Sequence, residues 1–174
     1  MLTIHRPLAD DGRSVAVDGG RILAVGPYAE LHAAHGDRAR VREWDGTLEP
    51  GRYEPDAVRL LETLYWPDPR EADDLGTEPL PAASLPMTDT RWGASARRGL
   101  QRMLGRGVTA VAGPFARPAV RTAVQRSGVL VAPAPSALAP SALAPDARAD
   151  FTVVAVDGSC LATVVGGRLV YRRA

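Results

Sequence analysis

Residues 46 to 62, GTLEPGRYEPDAVRLLE, place three carboxylates, Glu54, Asp56 and Glu62, shortly after a Pro50-Gly51 turn. Carboxylates can trade protons with a substrate as general acid and base when a second group faces them across a cleft. Nothing in the spacing sets up such a facing pair. The next acids, Asp68, Glu71, Asp73 and Asp74, lie in a Pro-rich run where carboxylates are solvated. Glu54 and Asp56 stand as the catalytic candidates, and the reading as surface acids is preferred over them. His32 and His35, three apart on an expected helix, share one face. A zinc site needs three or four ligands, and the neighbours Glu30 and Asp37 are generic surface residues, so no metal ligands are assigned. Cys160 and His5 could pair as thiol and base. However, GSCLATVV is an apolar strand context in which a cysteine behaves as a small buried hydrophobe.

Two further groups bear on binding. Arg91, Arg97, Arg98, Arg102 and Arg106 could meet phosphate or an acidic partner, and a solvated helix face partly paired with the acidic loop explains them better. Gly113 and Pro114 lie between an expected strand and a helix N-terminus, where free amides can hold an anion. The repeated glycines of a phosphate loop are missing, but these two residues remain the ligand-binding candidates.

The elements that must position these groups follow from pattern. Two alternating apolar runs meet at Asp18-Gly19-Gly20, a hairpin signal, and YAELHAAHG reads as a short helix. ADFTVVAVDGSCLATVVGGRLVYRRA is a second meander, turning at Asp157-Gly158 and Gly166-Gly167. In between, Trp92, Ala96, Leu100, Met103 and Leu104 recur on one helical face and predict a helix over 90–105. VTAVAG, RPAVRTAVQRSG and VLVAPA predict a βαβ unit over 108–133 with parallel strands. Residues 67–86 read as an acidic, Pro-rich loop, and residues 134–149, with PSALA twice, as a Pro/Ala linker. The chain is therefore expected to be α+β. Residues 1–52 and 150–174 are expected to pair in one sheet system, with residues 53–133 as an inserted segment.

At 174 residues the chain can bury a core but is short for a complete (β/α)₈ barrel, which takes roughly 200 residues or more. A net charge of +1 gives no reason to expect nucleic acid as partner, and no apolar run nears the ~18 residues of a membrane span. A single cysteine permits no internal disulfide and fits a reducing compartment, so a cytoplasmic protein is expected.

The order of parts, with VAVDGGRILAVGP, GTLEPG and LATVVGGRLVYRR, resembles the metal-dependent amidohydrolases, most closely their imidazolonepropionase-like and deaminase-like branch. GVTAVAGPFARPAVRTAVQRSGVLV looks like the second strand, second helix and third strand of that family's barrel. The resemblance implies a composite β-sandwich built from both chain ends, with the barrel between them. It also implies a Pro-Gly turn, two residues, an Asp or Asn, one residue, then His-x-His at the end of the first barrel strand. Pro50 and Gly51 match the turn. Glu54 stands where the Asp or Asn belongs, and Asp56 and Val58 where the histidines belong. The family's further ligands include a lysine in many members, histidines and an aspartate. This chain has no lysine, and His5, His32 and His35 all precede the motif.

What the resemblance implies is thus a truncated barrel without its metal ligands. The expected function is a non-catalytic binding, scaffolding or oligomerisation module that uses no cofactor. Its partner is a second copy or another protein, with a small-molecule ligand also possible. The alternative is a hydrolase or deaminase acting on C–N bonds of a cyclic amide or aminated heterocycle, metal-independent or completed by a partner subunit. A truncated barrel leaves open strand edges and an apolar helix face, which either the acidic loop or another protein covers. Tyr65, Trp66 and Trp92 are the residues expected on that partner surface.

Overall fold

In the computed structural model, residues 1–9, 13–134 and 143–173 are described. In chain order the elements are β1 (Thr3–Pro7), β2 (Ser14–Asp18), β3 (Arg21–Gly26), α1 (Tyr28–His35), β4 (Arg40–Trp44), β5 (Thr47–Pro50), β6 (Arg52–Glu54), α2 (Ala57–Glu62), β7 (Leu64–Tyr65), α3 (Ala72–Leu75), β8 (Leu80–Pro81), α4 (Asp89–Leu104), β9 (Val108–Ala112), α5 (Pro118–Ser127), β10 (Leu130–Ala132), β11 (Phe151–Val154), β12 (Cys160–Val165) and β13 (Arg168–Arg172). The chain divides into two compact units. The first comprises Met1–Arg52, Leu104–Thr109 and Ala139–Ala174, and the second Tyr53–Met103 with Ala110–Leu138.

The first unit is the expected sandwich. Its sheets run β3-β2-β1-β4 and β13-β12-β11-β5, so one N-terminal strand, β5, completes the C-terminal sheet. Alternation sets the layers. Val15, Val17 and Ile22 of the first sheet pack with Phe151 and Val164 of the second, whereas Ile4 and Ala16 on the opposite face take Leu31 of α1. The hairpins form where glycine is needed. Gly166 and Gly167 both have positive φ, and a Cβ on Gly167 would run into the Gly19 carbonyl oxygen at the tip of the β2–β3 hairpin. Residues 104–109 are tied in by the Thr163 hydroxyl, which donates to the Leu104 carbonyl at 2.5 Å, and by the Arg52 amide on the Gly107 carbonyl at 2.9 Å. A Cβ on Gly51 would collide with the Thr109 side chain, so glycine at the Pro50-Gly51 step makes room for that side chain.

The expected Pro/Ala linker is corrected in part. Residues 135–142, which hold most of the PSALA repeat, lie outside the described residues. Residues 143–149 are packed: Leu143 and Ala149 are buried in the sandwich core, and the Ile22 amide donates to the Ala147 carbonyl at 2.9 Å. Backbone polar groups beside a core strand find partners instead of staying in water.

In the second unit α4 buries its apolar stripe as its period predicts, and β10 pairs parallel with β9 in a sheet of order β10-β9-β6. Among the described residues no closed barrel forms; the chain is mixed α+β with separate small sheets. The acidic run 67–86 is not a structureless loop. It holds a 3₁₀ turn over Pro69–Glu71, then α3, then β8, which pairs antiparallel with β7. The Asp68 carboxylate accepts the Arg70 amide at 3.0 Å and the Asp68 amide donates to Glu71 at 3.3 Å, a capping box on a proline-led turn. The motif was visible as Asp68-Pro69-Arg70-Glu71.

Tyr65, Trp66 and Trp92 do not form a partner surface; they are 2%, 8% and 6% exposed. Of the two expected covers, the acidic segment is the one observed. The Tyr65 hydroxyl donates to Glu71 and accepts from Arg98 at 3.2 Å, while Arg91 meets Glu71 at 2.9 Å and Arg98 meets Asp68 at 3.2 Å. The arginine face of α4 is thus partly paired with that segment, and Arg97, Arg102 and Arg106 stay exposed. Trp66 is held by its indole on the Leu60 carbonyl and by its amide on Ser95, and Gly99 leaves no room for a Cβ beside it.

Candidate functional site

The residues that the resemblance places at the end of a first barrel strand are not on a strand. β6 stops at Glu54, Asp56 is the residue before α2, and Val58 lies in the first turn of that helix. Residues i and i+2 share one side of a strand but stand about 200° apart around a helix. Side chains at 56 and 58 therefore do not converge. Glu54 and Asp56 are occupied locally: the Glu54 carboxylate accepts the Asp56 amide at 3.0 Å, and Asp56 lies 3.3 Å from Arg59. The AVRLLE pattern forms a helix as soon as the short strand ends.

The element junction beyond α2 is organised by a residue that spacing did not single out, Arg117. Its amide donates to the Glu62 carboxylate at 2.6 Å, and its guanidinium carbon lies 4.1 Å over the Trp92 ring. Glu62 thereby puts a negative charge at the start of α5, where the helix dipole favours it. Gly113 and Pro114, the ligand-binding candidates, precede this junction in the chain. Gly113 has a packing role as well, since a Cβ there would collide with Val131 of β10. Beside the junction runs a groove of about 490 Å³ with Leu85, Met87 and Trp92 as its apolar lining and Glu62, Thr63 and Arg117 as its polar lining. It holds its one carboxylate in a structural bond and offers no facing acid and base.

The other candidates also have structural partners. His5 is buried, stacked on Trp44 and edge-on to Phe151, and its Nδ1 accepts the Trp44 indole N–H at 3.2 Å. Burial and then the nearby Arg42 charge push its pKa down to about 3, so the ring is neutral. Cys160 is buried on the other sheet with Sγ 3.2 Å from the Thr152 hydroxyl and 3.4 Å from that of Thr163. The structure therefore does not bring His5 and Cys160 together as base and thiol. His32 packs its ring against Tyr28 at 5.3 Å. Among the described residues no group of three or more His, Cys, Asp or Glu side chains is placed to hold a metal ion, and no helix is long and apolar enough to cross a membrane.

The fold and its sites define a mixed α+β chain built around a composite sandwich. Residues 15–42, which run from β2 into β4, match the family model of the imidazolonepropionase-like composite domain of bacteria. The resemblance expected from VAVDGGRILAVGP is met over this segment. No curated protein matches the chain. Similar solved structures include ochratoxinase from A. niger, at 17% identity and a TM-score of 0.48 over 75% of this chain and 30% of that one. A zinc-bound adenosine deaminase from Xanthomonas campestris is similar at 19% identity and 0.46, over 74% and 31%. An amidohydrolase from a Sargasso Sea environmental sample is similar at 17% identity and 0.47, over 84% and 38%. The chain spans about a third of the length of these proteins.

Proposed function

We propose that this chain is an amidohydrolase-like module that binds a protein partner, in the first instance a second copy of itself, and performs no metal-dependent hydrolysis. The observation that carries the reading is the placement of positions 56 and 58 at the start of α2, where two side chains diverge and where Glu54 and Asp56 are held in local bonds. The binding half rests on β10. It is an edge strand of its sheet, and Leu130 and Val131, on opposite faces of the strand, are 36% and 50% exposed. An open edge with apolar side chains is a template for strand pairing. With Tyr65, Trp66 and Trp92 in the core, this edge is the apolar surface that the described residues of the second unit offer.

Sedimentation equilibrium, elemental analysis and hydrolysis assays on cyclic amides and aminated heterocycles test this together. A metal-free dimer that becomes monomeric in Val131→Glu and turns over no substrate is the expected result. A wild-type monomer overturns the self-association. Turnover that depends on a bound metal, or that is lost in Glu54→Ala or Asp56→Ala, overturns the non-catalytic reading in favour of a hydrolase or deaminase.

A further inference from the structure

The first unit carries a charge pattern that binding at β10 does not use. β4 is one edge of the first sheet and β13 one edge of the second. Side chains alternate along a strand, so Arg40, Arg42 and Trp44 leave β4 on one side. Trp44 packs against Val153 and Ala162 of the second sheet, which makes that side the inward one. Across the seam, Arg172 is paired with Ala162, and its guanidinium carbon lies 5.6 Å from the centre of the Trp44 ring. Three guanidinium groups thus share the rim where two sheet edges meet.

These charges repel. Desolvation lowers the Arg42 pKa first, and Arg40 and Arg172 lower it further. The neighbouring acid does not relieve them, because Glu43 leaves the opposite face of β4 and is bonded to Arg6 at 2.8 Å. No ion pair joins Arg40, Arg42 or Arg172 to a carboxylate among the described residues. Guanidinium is the group suited to such a place. It stays charged at any physiological pH, and its planar fork of N–H donors matches the oxygens of an oxyanion. The Trp44 face steadies one of the three, and the parallel register of β4 on β1, with Thr3 opposite Arg40 and His5 opposite Arg42, fixes the origins of the other two.

We propose that the seam between β4 and β13 is a binding site for a phosphate-type oxyanion, held by Arg40, Arg42 and Arg172. An anion there replaces mutual repulsion with charge-assisted hydrogen bonds, and by binding only the folded state it stabilises the fold. The site lies within the first unit and is independent of any association through β10.

Isothermal titration of the full chain with inorganic phosphate and with methyl phosphate, at ionic strength held constant with sodium chloride, tests the proposal. The expected result is saturable one-to-one binding of phosphate and a melting temperature that rises with phosphate and not with chloride. Equal binding of the ester assigns the site to phosphomonoesters, and its exclusion assigns it to the free ion. Arg42→Gln and Arg40→Gln should each weaken binding about tenfold or more, the loss of one charge-assisted contact. Both variants should melt no lower than wild type without phosphate, and Arg97→Gln on exposed α4 should bind as wild type does. Absence of saturable binding, or equal affinity in Arg40→Gln and Arg42→Gln, overturns the proposal.

Discussion

The neutral, buried His5 ring makes a specific demand on acid stability. Its pKa falls from an ordinary value of 6.5 to about 3 in the folded chain, through burial first and the Arg42 charge second. The unfolded chain therefore binds a proton between those two values that the folded chain refuses. The stabilising contribution is present above pH 6.5 and is lost as the pH falls toward 3. Acidifying from about pH 7 to about pH 5 should remove about 2 kcal/mol through this residue alone. Glu71 and Asp157, whose carboxyls are held below the usual range by hydrogen bonds from Tyr65 and Ser159, act only at lower pH. Asp150, whose carboxyl burial pushes up, acts in the opposite sense to His5, but it is common to wild type and variant and cancels in their comparison. His5→Gln removes the titrating ring and keeps an acceptor within reach of the Trp44 indole. Urea unfolding of both proteins across the window is the assay. Wild type should lose stability with acid more steeply than the variant, and parallel pH profiles would refute the reasoning.

Two further outcomes are expected. Gly167→Ala, with φ of +75° and a Cβ aimed at the Gly19 carbonyl, should cost about 2–4 kcal/mol in urea unfolding. Gly158→Ala, at φ of +81° with open space around it, should cost only about 1 kcal/mol, and equal losses would remove the contact between hairpin tips from the account. Tyr65→Phe should move the Glu71 carboxyl titration upward in an NMR pH series, because the Tyr65 hydrogen bond is the largest cause holding it down. An unchanged midpoint would show that Arg91 and Arg98 suffice.

The fold was legible wherever local chemistry decides it. Asp18-Gly19-Gly20 and Gly166-Gly167 marked hairpins because few residues accept their backbone angles, and the recurrence of Trp92, Ala96, Leu100 and Met103 marked one buried helix face. Legibility ended where distant groups meet. Tyr65, Trp66 and Trp92 read as exposed because the cover over them depends on Glu71 of the acidic segment meeting Arg91 and Arg98 of α4. Asp56 and Val58 were read against a strand template, but a strand of three residues yields at once to a helix-forming sequence. The alternating arginines of RVREW were visible, but their meeting with Arg172 follows from which strands sit at the sheet edges, and no local pattern encodes that.

The strand pairing that closes the second sheet also orders events during synthesis. Pro50 lies opposite Phe151 and Thr47 opposite Val154, so β5 must wait for β11 while about a hundred intervening residues are made. Until then β5 has no ladder partner, and the inward faces of Val15, Val17 and Ile22 lack the Phe151 and Val164 side chains that bury them. Such pairings of high sequence separation slow folding, because the closure entropy of a long loop comes due before any contact rewards it. The first unit is therefore a late-closing structure whose early half stays exposed to proteases and chaperones until its last strands emerge.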